Sequence, residues 1–331
     1  MKAVWIREFG GAENLEIREV ADLPAPATDR VLIRVRAAAL NRADLLQRRG
    51  FYPAPKGFPT EIPGLEFAGE VAATGDAVQN FKIGQRVFGI TAGAAQAEFV
   101  SIAENNLVEI PANLNFTEAA AVPEAFITAH DALISQAALR IGETVLIHAI
   151  GSGVGLAALQ LAKAAGALVI GTSRTPDKIE RATEFGLDLG ILTAGETNAE
   201  KFAEAIKNET NNVGANVVLD LVGAKYLQAN LLSLATLGRL VFVGTTAGNR
   251  AEIDILTVMS KRLRLFGTVL RARSTEEKAT VTHLFAEQVV PLLARGVVKP
   301  VIDRVFPLAE IRAAHERLES NQSFGKVVLE I

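Results

Sequence analysis

Residues 143–166 have the sequence ETVLIHAIGSGVGLAALQLAKAAG, which combines three local signals. An apolar run over 144–148 is typical of a buried strand, and three glycines follow at positions 151, 153 and 155. Leucines and alanines from Leu156 onward recur with the spacing of a helix packed on a sheet. Together they predict the opening of a dinucleotide-binding βαβ unit, where glycines let a diphosphate approach the N–H groups at the helix start.

The sequence around this turn also bears on the choice of cofactor. The strict spacing G-x-G-x-x-G would need glycine where the chain has Leu156, so the turn alone is weak evidence. The next apolar run, 167–171, leads to Ser173 and Arg174, about 20 residues beyond the first glycine. An NAD site usually has Asp or Glu there, whereas this chain has hydroxyl and basic groups, with Lys178 close behind. This pattern favours NADPH; the alternative is that the two cations only belong to a solvated helix start.

Length and composition limit the number of domains, the partners and the cellular location that the chain can have. A chain of 331 residues is long enough for two domains, and a net charge of −3 without a long basic block gives no reason to expect nucleic acid as a partner. There are no cysteines, which excludes disulfides, thiolate catalysis and sulfur-ligated zinc. The first residues lack the apolar core of a secretory signal, and no apolar run reaches 18 residues. We therefore expect a soluble, cytoplasmic protein that does not bind membranes.

The first 120 residues predict a β-rich, partly closed barrel, because short strand candidates alternate with Pro- and Gly-bearing turns. The predicted strands are 3–6, 31–37, 66–72, 86–89 and 97–101. Residues 39–50 have a helical pattern, and a proline-rich loop, 51–64, follows. Thr117 is the expected N-cap of a helix that Pro123 must kink or restart.

The middle of the chain alternates strands and helices, which predicts a parallel sheet with helices on both faces. We expect strands near 143–149, 167–172, 188–192, 216–220, 239–244 and 264–269, and helices near 153–165, 176–184, 199–208, 225–235 and 253–259. A long amphipathic helix after Thr275 and strands over 301–307 and 326–331 suggest that the chain returns to complete its first domain.

The expected domain limits are therefore 1–122 with 271–331 for one domain and 123–270 for the inserted one. The cleft between the two domains is the expected active site.

Several motifs along the chain carry a family resemblance. They are ALNRADLLQRRG at 39–50, IPGLEFAGEV at 62–71, AAVPEAFITAHDAL at 120–133 and HAIGSGVG at 148–155. In these the chain resembles the zinc-free, zeta-crystallin-like quinone oxidoreductases of the medium-chain dehydrogenase/reductase superfamily. It is most similar to the branch that contains the tumour-suppressor-inducible quinone oxidoreductase. The resemblance implies an α/β fold in which a Rossmann-type doubly wound parallel sheet is inserted in a discontinuous β-rich, GroES-like barrel domain.

The resemblance also implies a site without metal. Zinc-dependent relatives carry a cysteine and a histidine where this chain has Asn41 and Leu65, although Asp44 is retained. An amide and an isobutyl group cannot replace thiolate and imidazole as zinc ligands. None of the four histidines has i, i+4 spacing with another, so we expect each to be structural.

Asn41 and Tyr52 are the catalytic candidates, because they match family positions near the nicotinamide and the quinone. An Asn amide can bond a carbonyl oxygen or the ribose, and a Tyr can stack on a flat ring or donate its hydroxyl. The alternatives are that Asn41 only caps the helix starting at Arg42 and that Tyr52 only packs in its loop. Protonation is expected to come from solvent, without a dedicated acid.

The cofactor-binding residues implied by the resemblance lie on several predicted strand ends. They are Thr128, Gly151, Ser152, Gly153, Val154, Ser173, Arg174, Thr175, Lys178, Gly244, Thr245, Gly267, Thr268, Val269 and Asn321. Three positions depart from family patterns. Ser152 stands where many members have glycine and is expected to narrow the turn. Thr193 replaces a tyrosine that stacks on adenine, and Asn321 replaces a basic residue.

Three functions are compatible with these residues. The first is NADPH-dependent reduction of quinones by hydride or by single electrons, and the second is reduction of α,β-unsaturated carbonyls or enoyl thioesters. The third is a cofactor-binding structural or regulatory protein without turnover. A homodimer is expected if the strand at 264–269 is the exposed edge of the cofactor-domain sheet.

Overall fold

The computed structural model describes residues 1–193 and 198–331. The chain divides into two compact units, Met1–Ile127 with Leu270–Ile331 and Thr128–Val269. We call the first the discontinuous unit and the second the inserted unit, because the second interrupts the first in the sequence. Within the described residues, no helix is both long and apolar enough to cross a bilayer.

Fifteen strands and eleven α-helices are defined in this part of the chain. The strands are β1 (Lys2–Ile6), β2 (Leu15–Glu19), β3 (Arg30–Ala39), β4 (Glu66–Thr74), β5 (Arg86–Ile90), β6 (Phe99–Ala103), β7 (Leu107–Glu109), β8 (Thr144–Ile147), β9 (Leu168–Ser173), β10 (Leu189–Leu192), β11 (Ala215–Asp220), β12 (Leu234–Phe242), β13 (Arg264–Gly267), β14 (Ile302–Pro307) and β15 (Lys326–Glu330). The helices are α1 (Arg42–Arg48), α2 (Phe116–Ala120), α3 (Pro123–His130), α4 (Gly153–Ala164), α5 (Pro176–Thr183), α6 (Ala199–Glu209), α7 (Leu227–Ser233), α8 (Ile255–Lys261), α9 (Thr275–Gln288), α10 (Val290–Ala294) and α11 (Ile311–Glu319).

The inserted unit is a doubly wound fold. Its six strands are parallel and follow the order β10-β9-β8-β11-β12-β13, which is 3-2-1-4-5-6 when counted from its first strand. Leu146, Val218 and Leu240 on neighbouring strands are fully buried and pack with Phe202 of α6. Burial of such a side chain contributes about 1.5–3 kcal/mol, so the apolar runs of the sequence hold this sheet together. The predicted Rossmann-type sheet is confirmed.

The discontinuous unit contains the other predicted layer, a β-rich sheet. Seven strands follow the order β14-β15-β3-β4-β5-β7, with β6 paired to β3, and β1 and β2 form a separate antiparallel pair. The C-terminal strand β15 pairs with β3, where Val328 lies opposite Ala39. The end of the chain therefore completes the fold of its first third, as predicted, and the GroES-like fold class is confirmed.

The N-cap predicted at Thr117 is wrong. The helix begins at Phe116, two residues before the predicted start, and its N-cap is Asn115, whose side chain accepts the Glu118 N–H at 2.9 Å. The Glu118 carboxylate accepts the Asn115 N–H at 2.9 Å, and the Thr117 hydroxyl donates to the Asn115 side chain at 2.7 Å. Asn115 is the N-cap because Glu118 lies three residues after it and completes a capping box. The predicted restart at Pro123 is confirmed, since α3 begins there.

Several strand limits differ from the prediction by one or two residues, and the start of β12 differs by five. The strand predicted at 97–101 is β6, shifted to Phe99–Ala103, and Ala97 forms only an isolated bridge to Ala3. The helix predicted at 225–235 ends at Ser233, and β12 starts at Leu234, well before the predicted residue 239. The reason is an irregular register with β11 and a positive φ of 64° at Leu237, which let the chain enter the sheet early.

Candidate active site

The carboxyl edge of the inserted sheet gathers most of the predicted cofactor residues. All six strands are parallel, so their carboxyl ends meet at one edge, which is where ligands of such folds bind. The predicted residues lie at the ends of four strands. After β8 come Gly151, Ser152, Gly153 and Val154, and at the end of β9 come Ser173, Arg174 and Thr175. After β12 come Gly244 and Thr245, and at the end of β13 come Gly267, Thr268 and Val269. Within this unit, four separate segments of the sequence thus contribute to one edge.

The glycine turn presents free N–H groups at the start of α4. Ser152 is the N-cap, and its hydroxyl accepts the Gly155 N–H at 3.0 Å. In the described residues the N–H groups of Gly153 and Val154 have no protein partner, as expected for the first turn of a helix. A Cβ on Gly155 would lie 2.5 Å from the Ala149 carbonyl oxygen, so only glycine fits there. These features suit a diphosphate, with Ser152 serving the helix cap as well.

The end of β9 carries the basic residues that favoured NADPH. Arg174 is exposed, and the Ser173 side chain accepts the Thr175 N–H at 3.1 Å, where Thr175 caps α5. A hydrogen bond from the Thr175 side chain lowers the pKa of the Asp177 carboxyl in the same segment. Lys178 lies in the first turn of the same helix and is partly exposed.

Thr193 occupies the position of the adenine-stacking tyrosine in the family pattern. It is buried and hydrogen-bonded to the end of β9. Its N–H donates to the Ser173 carbonyl at 2.8 Å, and its hydroxyl lies 3.3 Å from the same oxygen. The side chain therefore joins the end of β10 to the end of β9.

Thr128 and Thr268 are both buried in the inserted unit. The Thr268 hydroxyl donates to the Asp131 carboxylate at 2.8 Å, and its N–H donates to the Phe242 carbonyl at 2.9 Å. Thr128 lies one turn before Asp131 on the same helical stretch. The hydrogen bond between Asp131 and Thr268 thus ties the helical stretch that carries Thr128 to the end of β13.

A buried polar chain that the sequence reasoning missed lies behind the glycine turn. His148, directly after β8, lies 2.6 Å from the Asn230 side-chain oxygen and 3.0 Å from the Thr172 hydroxyl. Asn230 donates to Asp220 at 3.0 Å, and Asp220 also accepts the Gly223 N–H at 2.9 Å. Burial lowers the pKa of His148, with Asp220 opposing, so the ring is neutral and holds strand ends in place. For His148, the expected structural role fits this arrangement.

In the discontinuous unit, Asn41 lies at the start of α1 and makes several contacts at once. Its side-chain nitrogen donates to Glu66 at 2.9 Å, and its oxygen accepts from the Lys326 ammonium at 2.6 Å. The Asp44 carboxylate accepts the Asn41 N–H at 2.7 Å, so the expected N-cap position is confirmed. The second amide N–H donates to the Ala39 carbonyl over a long N···O distance of 3.4 Å, so a substrate oxygen could bind Asn41 only by replacing this contact.

Leu65, at the second zinc position of the zinc-dependent relatives, is packed in the core with 1% of its surface exposed. The described part of the chain contains no group of three His, Cys, Asp or Glu side chains that could hold a metal ion. Neither Asn41 nor Leu65 is therefore available as a ligand.

Tyr52 is held by Arg271, a residue that the sequence reasoning did not single out. The guanidinium lies 4.8 Å from the centre of the Tyr52 ring and donates to the Tyr52 carbonyl at 2.9 Å. It also donates to Ala92 at 2.8 Å and to Gln47 at 2.5 Å. A buried cation with these partners fixes the start of the proline-rich loop, so the Tyr52 ring has a defined orientation.

Two carboxyl groups near Asn41 have strongly perturbed acidities. Burial raises the pKa of Asp44 to about 6, although N–H groups of Asn41 and Gly64 oppose the rise. Burial, with the charge of Glu66 adding to it, raises the pKa of Glu124 to about 8. Perturbed groups of this kind concentrate at functional sites.

Asn321 belongs to the discontinuous unit, unlike the other predicted cofactor residues. It follows α11 with a φ of 61°, a left-handed conformation that Asn adopts more readily than Lys or Arg. Its side chain accepts from the Arg42 guanidinium at 2.5 Å. The left-handed backbone thus explains why this position has Asn instead of a basic residue, and the Arg42 guanidinium provides a positive charge next to it.

The residues that sequence reasoning missed in this unit are Glu66, Glu124, Arg271 and Lys326. A signal existed for two of them. Glu124 is the lone charge in the apolar run 119–129, and Lys326 directly precedes the apolar residues 327–329 of β15. Such isolated charges in buried stretches need partners, which only the fold reveals.

Comparisons with known proteins agree with this architecture. Family models described as "Alcohol dehydrogenase GroES-like domain" and "Zinc-binding dehydrogenase" match residues 27–132 and 153–287. The quinone oxidoreductase of Rattus norvegicus is 33% identical over 99% of this chain and 97% of its own length. The acryloyl-coenzyme A reductase of Metallosphaera sedula is 32% identical over 99% of both chains. The crystal structure of Escherichia coli quinone oxidoreductase complexed with NADPH has a TM-score of 0.88 at 28% identity, with both chains fully covered.

These matches place the chain in the medium-chain dehydrogenase/reductase superfamily. Within it, the chain belongs to the quinone oxidoreductase family.

Proposed function

We propose that this protein is an NADPH:quinone oxidoreductase that works without a metal. The observation that carries the proposal is the dinucleotide edge of the inserted unit, with its capped glycine turn and basic β9 end, in a chain 33% identical to a quinone oxidoreductase over its whole length. We assign residues 123–270 to the cofactor domain and residues 1–122 and 271–331 to the substrate domain. The first limit is the start of α3 at Pro123, and the first turn of this helix, up to Ile127, packs with the discontinuous unit, so Glu124 lies on the substrate side.

The chain's own residues bind and orient the reactants. The N–H groups of Gly153 and Val154, with the α4 dipole, suit the diphosphate. Arg174 and Lys178 are the charges proposed for the 2′-phosphate, with Ser173 beside them. When bound, the reduced nicotinamide supplies a hydride, or single electrons, to the acceptor.

In the substrate half, Tyr52 offers a flat ring whose orientation Arg271 fixes. A quinone becomes aromatic on reduction, so positioning of the ring is the main contribution asked of the protein. Asn41 is proposed to contribute the amide N–H that otherwise makes the long contact to the Ala39 carbonyl.

Reduction of enones or enoyl thioesters is the second candidate. It is favoured by the 32% identity to an acryloyl-coenzyme A reductase, and hydride addition to an enone needs the same kind of site. A third candidate, a cofactor-binding protein without turnover, predicts tight NADPH binding and no oxidation of it by any acceptor.

Steady-state NADPH oxidation separates these candidates. We expect kcat/KM for a panel of ortho- and para-quinones to exceed that for crotonyl-coenzyme A and simple enones by at least tenfold. Faster turnover of the thioester would favour the second candidate. Binding of NADPH without turnover of any acceptor would favour the third.

We further propose a homodimer in the cytoplasm. The absence of cysteines is compatible with a reducing compartment. Two features of the inserted unit support the dimer: β13 ends the sheet formed by the described strands, and α8 beside it buries none of its residues.

A further inference from the structure

Glu66 and Glu124 lie together in the discontinuous unit, but their surroundings are unequal. The Glu66 carboxylate is fully buried and accepts from Asn41 at 2.9 Å, from the Lys326 ammonium at 2.7 Å and from the Glu124 backbone N–H at 2.7 Å. Three donors, one of them a cation, thus satisfy the oxygens of the Glu66 carboxylate.

The Glu124 carboxyl has no such support. Glu124 is a half-buried residue at the start of α3, and its carboxyl accepts no hydrogen bond or ion pair from any residue that the structure describes. The charged groups that act on it are Glu66 of β4, Asp44 of α1, Lys326 of β15 and Arg271, and Glu124 in turn acts on Lys278 of α9. Two adjacent carboxylates cannot both ionise cheaply, so the proton stays on the one without donors. The pKa of about 8 for Glu124 agrees with this assignment.

Glu124 is also within electrostatic reach of the residue proposed to hold the substrate. Burial raises the pKa of the Tyr52 phenol; Arg271 opposes the rise and Glu124 adds to it. An acid on a half-buried residue that is neutral at pH 7 and acts electrostatically on Tyr52 meets the requirements of a proton donor.

We propose that Glu124 is a catalytic residue that donates the proton which neutralises the reduced substrate. This inference rests on the proposed reduction of quinones. Addition of a hydride, which carries two electrons, to a quinone leaves a hydroquinone monoanion. The O–H bond of Glu124 then breaks, the proton moves to the negatively charged oxygen, and the electron pair stays on the carboxylate. A proton from water restores the carboxyl. The protein thus supplies its own acid, in place of the protonation from solvent expected from the sequence.

The kinetic test compares Glu124→Gln, Glu124→Asp and the control Glu109→Gln, which removes an exposed carboxylate of the same unit. We use two quinones, one whose hydroquinone is strongly basic and one whose hydroquinone is acidic through halogen substitution. We expect E124Q to lower kcat at least tenfold with the basic acceptor and under threefold with the acidic one, because a basic oxygen needs the donor more. NADPH affinity, read by cofactor fluorescence, should not change. E124D should restore part of kcat, and E109Q should behave as wild type.

The pH dependence of kcat provides a second kinetic test. Because the protonated form is active, kcat of the wild type with the basic quinone should fall as pH rises through about 8, and E124Q should lack this limb. Activity of E124Q within twofold of wild type on both acceptors, with the same pH profile, would overturn the proposal.

A titration of the protein without cofactor gives an answer independent of turnover. Carbon-13 NMR of glutamate-labelled protein should show one side-chain carboxyl that titrates near pH 8 and is missing in E124Q. If the wild type reduces no quinone, the proposed function fails while this resonance can still be observed. If Glu124 titrates near 4.5 in an active enzyme, only the donor role fails.

Discussion

Arg174 and Lys178 are the residues that distinguish NADPH from NADH in this account. Replacing both by alanine removes two charge-assisted contacts to the 2′-phosphate, each worth about 1.4 kcal/mol at a partly exposed site. We expect the Kd for NADPH to rise about 100-fold, and the Kd for NADH to change less than threefold, in isothermal titration calorimetry.

The matched control is Lys201→Ala, which removes an exposed cation from α6 of the same unit. It should leave both dissociation constants as in the wild type. An equal loss of NADH and NADPH affinity in the double variant would contradict the assignment.

His315 provides a pH-dependent prediction for stability. It is fully buried on α11, and its Nδ1 lies 3.5 Å from the Arg48 guanidinium. Burial and the Arg48 charge lower its pKa to about 3, whereas the unfolded imidazole binds a proton near 6.5. The unfolded chain therefore binds one more proton between about pH 6.5 and 3, and native stability must fall as the pH falls through that window.

Urea unfolding at pH 7, 6 and 5 measures this effect. His315→Gln should reduce the slope of unfolding free energy against pH by up to about 1.4 kcal/mol per unit below pH 6. His283→Gln, which removes an imidazole exposed in the native state, is the control and should leave the slope almost unchanged. Identical slopes for wild type and His315→Gln would contradict the buried, neutral state of His315.

At the residue scale, sequence reasoning found candidates for the cofactor site more readily than for the substrate site. Gly151–Val154 and Ser173–Thr175 are local patterns, and one strand order brings them to one edge. Lys326 and Asn41 are 285 positions apart in the sequence, and their contact depends on the pairing of β15 with β3. Nothing local in the sequence signals such a contact.

At the element scale, α8 and β13 determine the proposed dimer. Leu256 and Met259 of α8 are 72% and 67% exposed, and Val269 after β13 is 56% exposed. Apolar side chains beside an open strand edge mark an interaction surface, and a second copy can extend the sheet by antiparallel pairing.

We expect Leu256→Glu with Met259→Glu to convert a dimer into a monomer in sedimentation velocity at micromolar concentration, with an unchanged far-ultraviolet spectrum. Ile141→Glu is the control, because Ile141 is 87% exposed in the same unit but lies outside α8 and β13. A monomeric wild type, or a double variant that stays dimeric, would exclude this surface.

Element prediction succeeded where apolar runs were continuous and failed where local signals competed. The buried parallel strands β8, β9 and β11 lie within or close to their predicted ranges. The short strands β2 and β7 were not predicted, because their few alternating residues resemble the flanking turns. The start of β12 was misplaced because Leu234 continues the apolar pattern of α7.

At the scale of the whole molecule, chain order decides how the functions are divided. The inserted unit contains the dinucleotide edge, and the discontinuous unit contains the cluster of Asn41, Tyr52 and Glu124. Sequence reasoning predicted this division from the change of pattern near residue 116 and from the return of strand signals after residue 300. It could not predict the acidities inside the cluster, because burial and neighbouring charges come from tertiary packing.

The most direct test of the central claim is the ratio of kcat/KM for NADPH to that for NADH, measured with one ortho-quinone such as 1,2-naphthoquinone. We expect saturable quinone reduction and a ratio of at least about 10, which corresponds to about 1.4 kcal/mol of preference for the phosphorylated cofactor. A ratio near 1, or no quinone-dependent oxidation of either cofactor, would contradict it.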